Sequence, residues 1–272
     1  MPIEVSVPIE VLPQERFHAL DRTVMRIVFD VHNEFGRLLD EELYKQEVAE
    51  RCAIAGLQAE REVRIRVVHE GFAKDYSMDL LVSRGYMLEA KAAERLMAAH
   101  RAQSLNYLLL AGLNHGKLVN FRTDRVEHEF VSTTLTLHDR RQIELITDDW
   151  VEIDEQSRRL KAKIIDLLSD WGAFLDVNLY REALTHFFGG SESVNRPVEV
   201  FSGARIVGVQ HLNMLNEDTA FALTMLHKGS AGMRQHINLL LDHTRLRQIQ
   251  WIDLNRHRVE FVTLASRKNR II

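Results

Sequence analysis

The sequence predicts an α/β protein of two tandem sandwiches, each a mixed sheet flanked by helices, the two related by a pseudo-two-fold axis. Three observations predict it. Apolar periodicity in the first half changes from helical to strand spacing in the order ααβββαββ. The second half carries the same order of segments. With 46% hydrophobic and 27% charged residues, the 272-residue chain has the composition of an ordinary globular protein that is long enough for two small domains.

Residues 1–14 hold three of the four prolines and read as an extended lead-in. From about Glu15 to Phe35, Leu20, Val24, Ile27, Val28 and Val31 recur at helical spacing, and Gly36 stops the helix. A second helix runs from about Glu41 to Ala55, with Leu43, Val48 and Cys52 inward. Val63, Ile65 and Val67 alternate with charged neighbours, as a half-buried strand does. Glu70-Gly71 marks a turn. Tyr76–Lys91 reads as two strands joined at Ser83-Arg84-Gly85. A helix over about Ala98–Leu113 follows, then strands at Lys117–Phe121 and Val126–Val131 around a turn at Thr123-Asp124.

A further helix runs from about Asp154 to Trp171, and there the repeat shows. FGRLLDEELYKQEV (Phe35–Val48) aligns without a gap on WGAFLDVNLYREAL (Trp171–Leu184). Tyr76–Leu81 falls on Gln210–Leu215, Gln103–Leu110 on Gln235–Leu241, and Asp124–Val131 on Arg256–Val262. The expected domains are therefore 1–146 and 147–272, the second a duplicate of the first.

Chemistry concentrates in YSMDLLVSRGYMLEAK (Tyr76–Lys91). Residues two apart on a strand share a face, so Glu89 and Lys91 project together and Asp79 can meet them from the paired strand. Two carboxylates buried side by side are unfavourable unless a cation compensates, and a hard divalent ion with oxygen ligands is the natural solution. The plain alternative is a solvated strand face. The repeat bears on the choice: Asp79 aligns with Asn213, Glu89 and Lys91 fall near Thr224 and Leu226, and Glu41 falls on Val177. Loss of these groups from a copy that keeps the apolar framework fits a site used in one copy only.

The net charge of −4 supplies no overall field for phosphate, so nucleic-acid binding would need a local basic patch. Arg84, Arg95, Arg101, Lys117, Arg122 and Arg125 are available for one, and the tail SRKNRII is basic, although such runs are usually solvated faces. The single cysteine, Cys52, cannot form an internal disulfide, so a reducing, cytoplasmic setting is expected. No apolar run reaches membrane length, the N-terminus does not read as a signal peptide, and no membrane contact is expected. Glycine-rich phosphate loops, zinc-type Cys/His clusters and nucleophile elbows are absent from the sequence.

The matches VHNEFG (Val31–Gly36), LLDEELY (Leu38–Tyr44), YSMDLLV (Tyr76–Val82), LEAK (Leu88–Lys91) and HRAQSLNYLLL (His100–Leu110) span about residues 22–132. On them the first half resembles the GxxExxY proteins, a branch of the PD-(D/E)XK nuclease superfamily. It departs from the signature at Leu38, where the family has glycine, which puts the turn before Glu41 in question. The resemblance implies two restriction-endonuclease-like sandwiches, the second a pseudo-nuclease, and metal-dependent hydrolysis of phosphodiester bonds. Asp79, Glu89, Glu41 and the Ala90 carbonyl would hold Mg²⁺ or Mn²⁺, and Lys91 would orient or help deprotonate the attacking water. Gln103 and Tyr107, one helical turn apart, would make supporting or phosphate contacts, with His32 and His100 as contributors. Against these stand plainer roles: His32 as a packing residue, His100 on the surface and Tyr107 in the core. The expected partner is nucleic acid, DNA ahead of RNA, with a homo-oligomer left open. The alternative function is a non-catalytic nucleic-acid-binding or regulatory module on the same fold.

Overall fold

The computed structural model describes residues 2–226 and 230–267; the Lys268–Ile272 part of the basic tail lies outside them. It is a mixed α/β protein that divides into two compact units, Met1–Asp139 and Arg140–Ile272, each built on a six-stranded mixed sheet. Among the described residues no helix is long and apolar enough to cross a membrane.

The lead-in is more than a tether. Its residues Ile3–Val5 form β1, which pairs antiparallel with β2 (Ala59–His69), Ile3 opposite Val67. Prolines lack an N–H to donate and are confined to sheet edges, and Pro2 and Pro8 flank this edge strand. α1 (Gln14–Phe35) buries Phe17, Val24, Ile27, Val28 and Val31 along one stripe. It ends where Gly36 takes φ 70° and returns its N–H to the His32 carbonyl. α2 (Glu41–Ile54) buries Tyr44, Val48 and Cys52 and carries Glu41 and Glu42 in its first turn, where carboxylates favour the helix dipole. β3 (Phe72–Val82), β4 (Tyr86–Lys91), α3 (Ala98–Ala111), β5 (His115–Asn120) and β6 (Glu127–Ser132) complete the sheet, in the order β1-β2-β3-β4-β5-β6. β4 is central, antiparallel to β3 and parallel to β5. Leu80, Val82, Tyr86, Leu88, Ala90, Val119 and Phe121 form a core with α1 and α2 on one face. Asp79, Glu89 and Lys91 alternate onto the other face, towards α3.

A short helix, α4 (Leu137–Arg141), crosses the division between the units. The boundary therefore falls after Asp139 and not after residue 146. β7 (Glu144–Asp149) decides it, because it pairs parallel with the last strand of the second unit and is part of that sheet. α5 (Glu155–Trp171), α6 (Val177–Phe187) and the short α7 (Ser191–Val194) follow. β8 (Asn195–Ser202), β9 (Arg205–Met214), β10 (Thr219–Thr224), α8 (Ser230–Asp242), β11 (Gln248–Asn255) and β12 (Arg258–Ala265) finish the chain.

Both sheets contain a five-strand core with the same order and directions. β8-β9-β10-β11-β12 alternate as β2-β3-β4-β5-β6 do, with the β10–β11 pair parallel like β4–β5. They differ in the strand that precedes the helix pair: β1 adds beside β2, whereas β7 adds at the opposite edge, beside β12. Local details recur. Tyr44 donates from its hydroxyl to the Gly36 carbonyl at 2.7 Å, and Tyr180 donates likewise to Gly172, whose φ is 75°. Asp40 and Asp176 precede α2 and α6.

Candidate active site

Glu89 is 1% and Asp79 7% exposed, and each flanks the Leu80–Leu88 register pair on the α3 side of the sheet. The Asp79 Oδ2 accepts the Ala90 N–H at 2.9 Å. Lys91 donates from Nζ to Glu89 Oε1 at 2.7 Å and stands 3.8 Å from Asp79 Oδ2. Glu41 reaches from the start of α2 to accept the Ala92 N–H at 3.0 Å, just beyond the end of β4. Four predicted side chains from α2, β3 and β4 thus gather around one strand end.

Electrostatics follows from that crowding. Burial and then the neighbouring Asp79 push Glu89 up to about 8, against the pull of Lys91. Burial likewise raises Asp79, opposed by Lys91 and by the Ala90 N–H. Lys91 pays a burial penalty, but the charges of Glu89, Asp79 and Glu41 outweigh it and hold the ammonium protonated. Glu89 Oε2 is buried and has no hydrogen-bond partner. An unsatisfied buried carboxylate oxygen is costly and is where a ligand or ion belongs.

The remaining predicted residues divide. Gln103 donates from Nε2 to the Tyr107 hydroxyl at 2.8 Å, and Tyr107 feels the charges of Glu89, Lys91 and Asp79 while its ring packs edge-on to Tyr76. This pair sits beside the carboxylates. His100 serves its own helix: its Nδ1 accepts the Met97 N–H at 3.2 Å at the start of α3. His32 lies 3.0 Å from the Thr123 carbonyl through Nε2 and ties α1 to the β5–β6 turn. Leu38 is 79% exposed and keeps an ordinary backbone; the left-handed position of that turn is Gly36. The Tyr44 hydroxyl, which also accepts the Leu39 N–H at 3.2 Å, fixes the approach to Glu41 without the family's glycine.

Sequence reasoning missed Lys45, Glu62 and Asn120. Lys45 is 8% exposed, one turn beyond Glu41 on α2, and its ammonium meets Glu62, Glu42 and Asp79. Asn120, at the end of β5, accepts the Ala93 N–H at 3.0 Å and donates to the Ala93 carbonyl at 2.8 Å, which fixes the chain leaving β4. The i, i+4 spacing of Glu41 and Lys45 was the available signal.

The second unit's strand register differs from the one the expected repeat alignment requires. Asn213 pairs with Phe221, whose ring lies 6.2 Å from Phe188 beyond α6, so Asn213 does not face α8. The positions packed on the α8 side are Leu212 and Ala222, followed by Thr224 two residues on. These, and not Asn213, Thr224 and Leu226, stand where Asp79, Glu89 and Lys91 stand in the first unit. Asp253 accepts the Leu226 N–H at 2.9 Å as Asn120 accepts that of Ala93. Thr224 donates to Asp253 at 2.7 Å and accepts from Trp251 Nε1 at 2.8 Å, so a neutral hydroxyl with its hydrogen bonds made fills this place.

Carboxylate oxygens, one of them orphaned, beside a protonated lysine are the donor set that suits a hard divalent cation. Among the described residues no three His, Cys, Asp or Glu side chains converge closely enough to hold an ion as they stand. A buried acidic pair and a lysine thus meet at the end of a central strand of a mixed sheet. The sequence profile of the PD-(D/E)XK nuclease superfamily matches residues 18–132, which contain all of these groups. No curated protein matches the chain significantly. Among solved structures, one titled "Crystal structure of SSO0001" is similar at 18% identity and a TM-score of 0.24, over 41% of this chain and 66% of that one.

Proposed function

We propose that the first unit is a metal-dependent nuclease that hydrolyses phosphodiester bonds of nucleic acid, DNA ahead of RNA. The observation that carries this reading is the buried Glu89, with one oxygen on Lys91 and the other without a partner, beside Asp79. Asp79, Glu89, Glu41 and the Ala90 carbonyl are the groups that would hold Mg²⁺ or Mn²⁺. When bound, such an ion lowers the pKa of its water and offsets charge on the phosphoryl group. The chain's own residues do the rest. Lys91, held against Glu89, orients or helps deprotonate the attacking water and stabilises charge on the phosphate. Glu41 ties the start of α2 to the end of β4 through the Ala92 N–H, so ligands from separate elements stay in register. Gln103 and the Tyr107 hydroxyl form a neutral wall that can receive a phosphate or sugar oxygen.

The second unit is, on this reading, a duplicate of GxxExxY type that has lost the centre. The shared five-strand order, the paired Tyr–Gly bonds and the matched Asn120 and Asp253 contacts support it. A second reading is a binder without turnover. It is favoured by Lys45 and Lys91, which already neutralise much of the carboxylate charge.

Cleavage of single- and double-stranded DNA and of RNA by the full chain tests the reading, with Mg²⁺ or Mn²⁺ added or chelated. Wild type should cut only with the ion, and Asp79→Ala and Lys91→Ala should not. Equal activity in all three would remove the assignment; salt-sensitive binding without cleavage would leave the binder.

A further inference from the structure

Lys45 is ringed by carboxylates. Its Nζ lies 2.5 Å from Glu62 Oε1, 2.8 Å from Glu42 Oε2 and 3.3 Å from Asp79 Oδ1. Three carboxylates from α2, β2 and β3 thus converge on one cationic point, and that point is supplied by the chain. The geometry is built. Glu62 takes the left-handed backbone conformation, φ 49°, and its other oxygen accepts from the Ser77 hydroxyl at 2.7 Å, which fixes the carboxylate towards the ammonium. The Lys45 side chain is 9% exposed and its contact with the buried Asp79 lies inside the protein, while Glu62 and Glu42 are half-exposed. Asp79 is shared: Oδ1 faces Lys45 and Oδ2 faces Lys91 and the Ala90 N–H.

We infer that Lys45 takes the place of a second cation beside Asp79, so that the site accepts a single divalent ion, on the Glu89 side. This rests on the nuclease reading for the first ion and goes beyond it in fixing the number. Charge supports it. Glu41, Glu42, Glu62, Asp79 and Glu89 face Lys45, Lys91 and Arg61, so one divalent ion brings the cluster to neutrality and a second would overcharge it. Geometry supports it as well. The unpartnered oxygen belongs to Glu89, whereas Asp79 Oδ1, the oxygen a second ion would share, is already held by Lys45. Lys45 is therefore a positioning residue. It holds Asp79 Oδ1 and so aims Oδ2 across β4.

The test is the stoichiometry of Mn²⁺ binding to the full chain, by calorimetry and by electron paramagnetic resonance of free Mn²⁺, with circular dichroism as the check of folding. Wild type should bind one equivalent that Asp79→Asn abolishes. Lys45→Met, which keeps the length and removes the charge, should admit a second equivalent among Glu42, Glu62 and Asp79. Lys45→Arg should stay at one. Lys45→Gln is read as Lys45→Met is, should the latter fail to fold. Two site-dependent equivalents in wild type, or one in a folded, uncharged Lys45 variant, would overturn the inference and leave the nuclease reading standing. No Mn²⁺ in wild type, or binding unaffected by Asp79→Asn, would overturn both.

Discussion

Glu89 and Lys91 stand two residues apart on β4, with Lys91 Nζ 2.7 Å from Glu89 Oε1 while Glu89 Oε2 has no partner. The lysine thus satisfies half of a buried carboxylate and leaves the other half reactive towards a proton or a cation. Without an ion the proton takes that place, which is why burial beside Asp79 holds Glu89 up near 8.

Stability should report that proton. Glu89 rises from its ordinary 4.5 to about 8 in the folded chain, so the native state binds the proton more tightly than the unfolded state does. Its contribution is fully present below 4.5 and is lost as pH rises through 8. Chemical denaturation of the metal-free protein should show this loss of stability across that window, and Glu89→Gln should flatten it. A wild-type curve of the same slope as Glu89→Gln would contradict the placement of Glu89.

Tyr44 should matter through its hydroxyl. Tyr44→Phe keeps the ring stacked 4.4 Å from Phe121 but removes the bonds to the Gly36 carbonyl and the Leu39 N–H. The expected cost is about 0.5–1.5 kcal/mol in equilibrium unfolding, the net worth of a partly exposed hydrogen bond. Tyr180→Phe should cost a similar amount in the second unit.

Asn120 should be a structural linchpin of the strand end. Asn120→Ala strips the bonds to both backbone groups of Ala93. A loss of about 2–3 kcal/mol is expected, together with faster hydrogen exchange at Ala93. Exchange unchanged at that amide would argue that something else holds the loop.

Cys52 should be inert. It is fully buried in the first unit's core, and burial raises its thiol to about 11. Iodoacetamide at neutral pH should label it only as fast as the chain opens, so addition of denaturant should accelerate labelling sharply.

The legible part of the site was the part carried by alternation. Asp79, Glu89 and Lys91 break an apolar hairpin, and period two assigns them a common face. Lys45 was hidden because EELYK at a helix start reads as a solvated ion pair; only tertiary contact with Glu62 and Asp79 reveals its burial. β7 was missed because ELITDD is acidic and short, and its strand character comes from pairing with β12. The alignment of Asn213 slipped by one because QHLNML is apolar at neighbouring positions, so the pattern does not fix which residue faces α8. The helices were legible almost throughout: α1 and α5 carry apolar stripes ended by Gly36 and Gly172. His100 and His32 were drawn towards chemistry by their family context, whereas a cap and a carbonyl contact occupy them.

Anomalous diffraction from crystals soaked in Mn²⁺ tests the central claim most directly. One peak is predicted within about 2.5 Å of carboxylate oxygens of both Asp79 and Glu89, with none beside Thr224 in the second unit. Peaks confined to surface carboxylates, with Asp79 and Glu89 bare at saturating Mn²⁺, would contradict it.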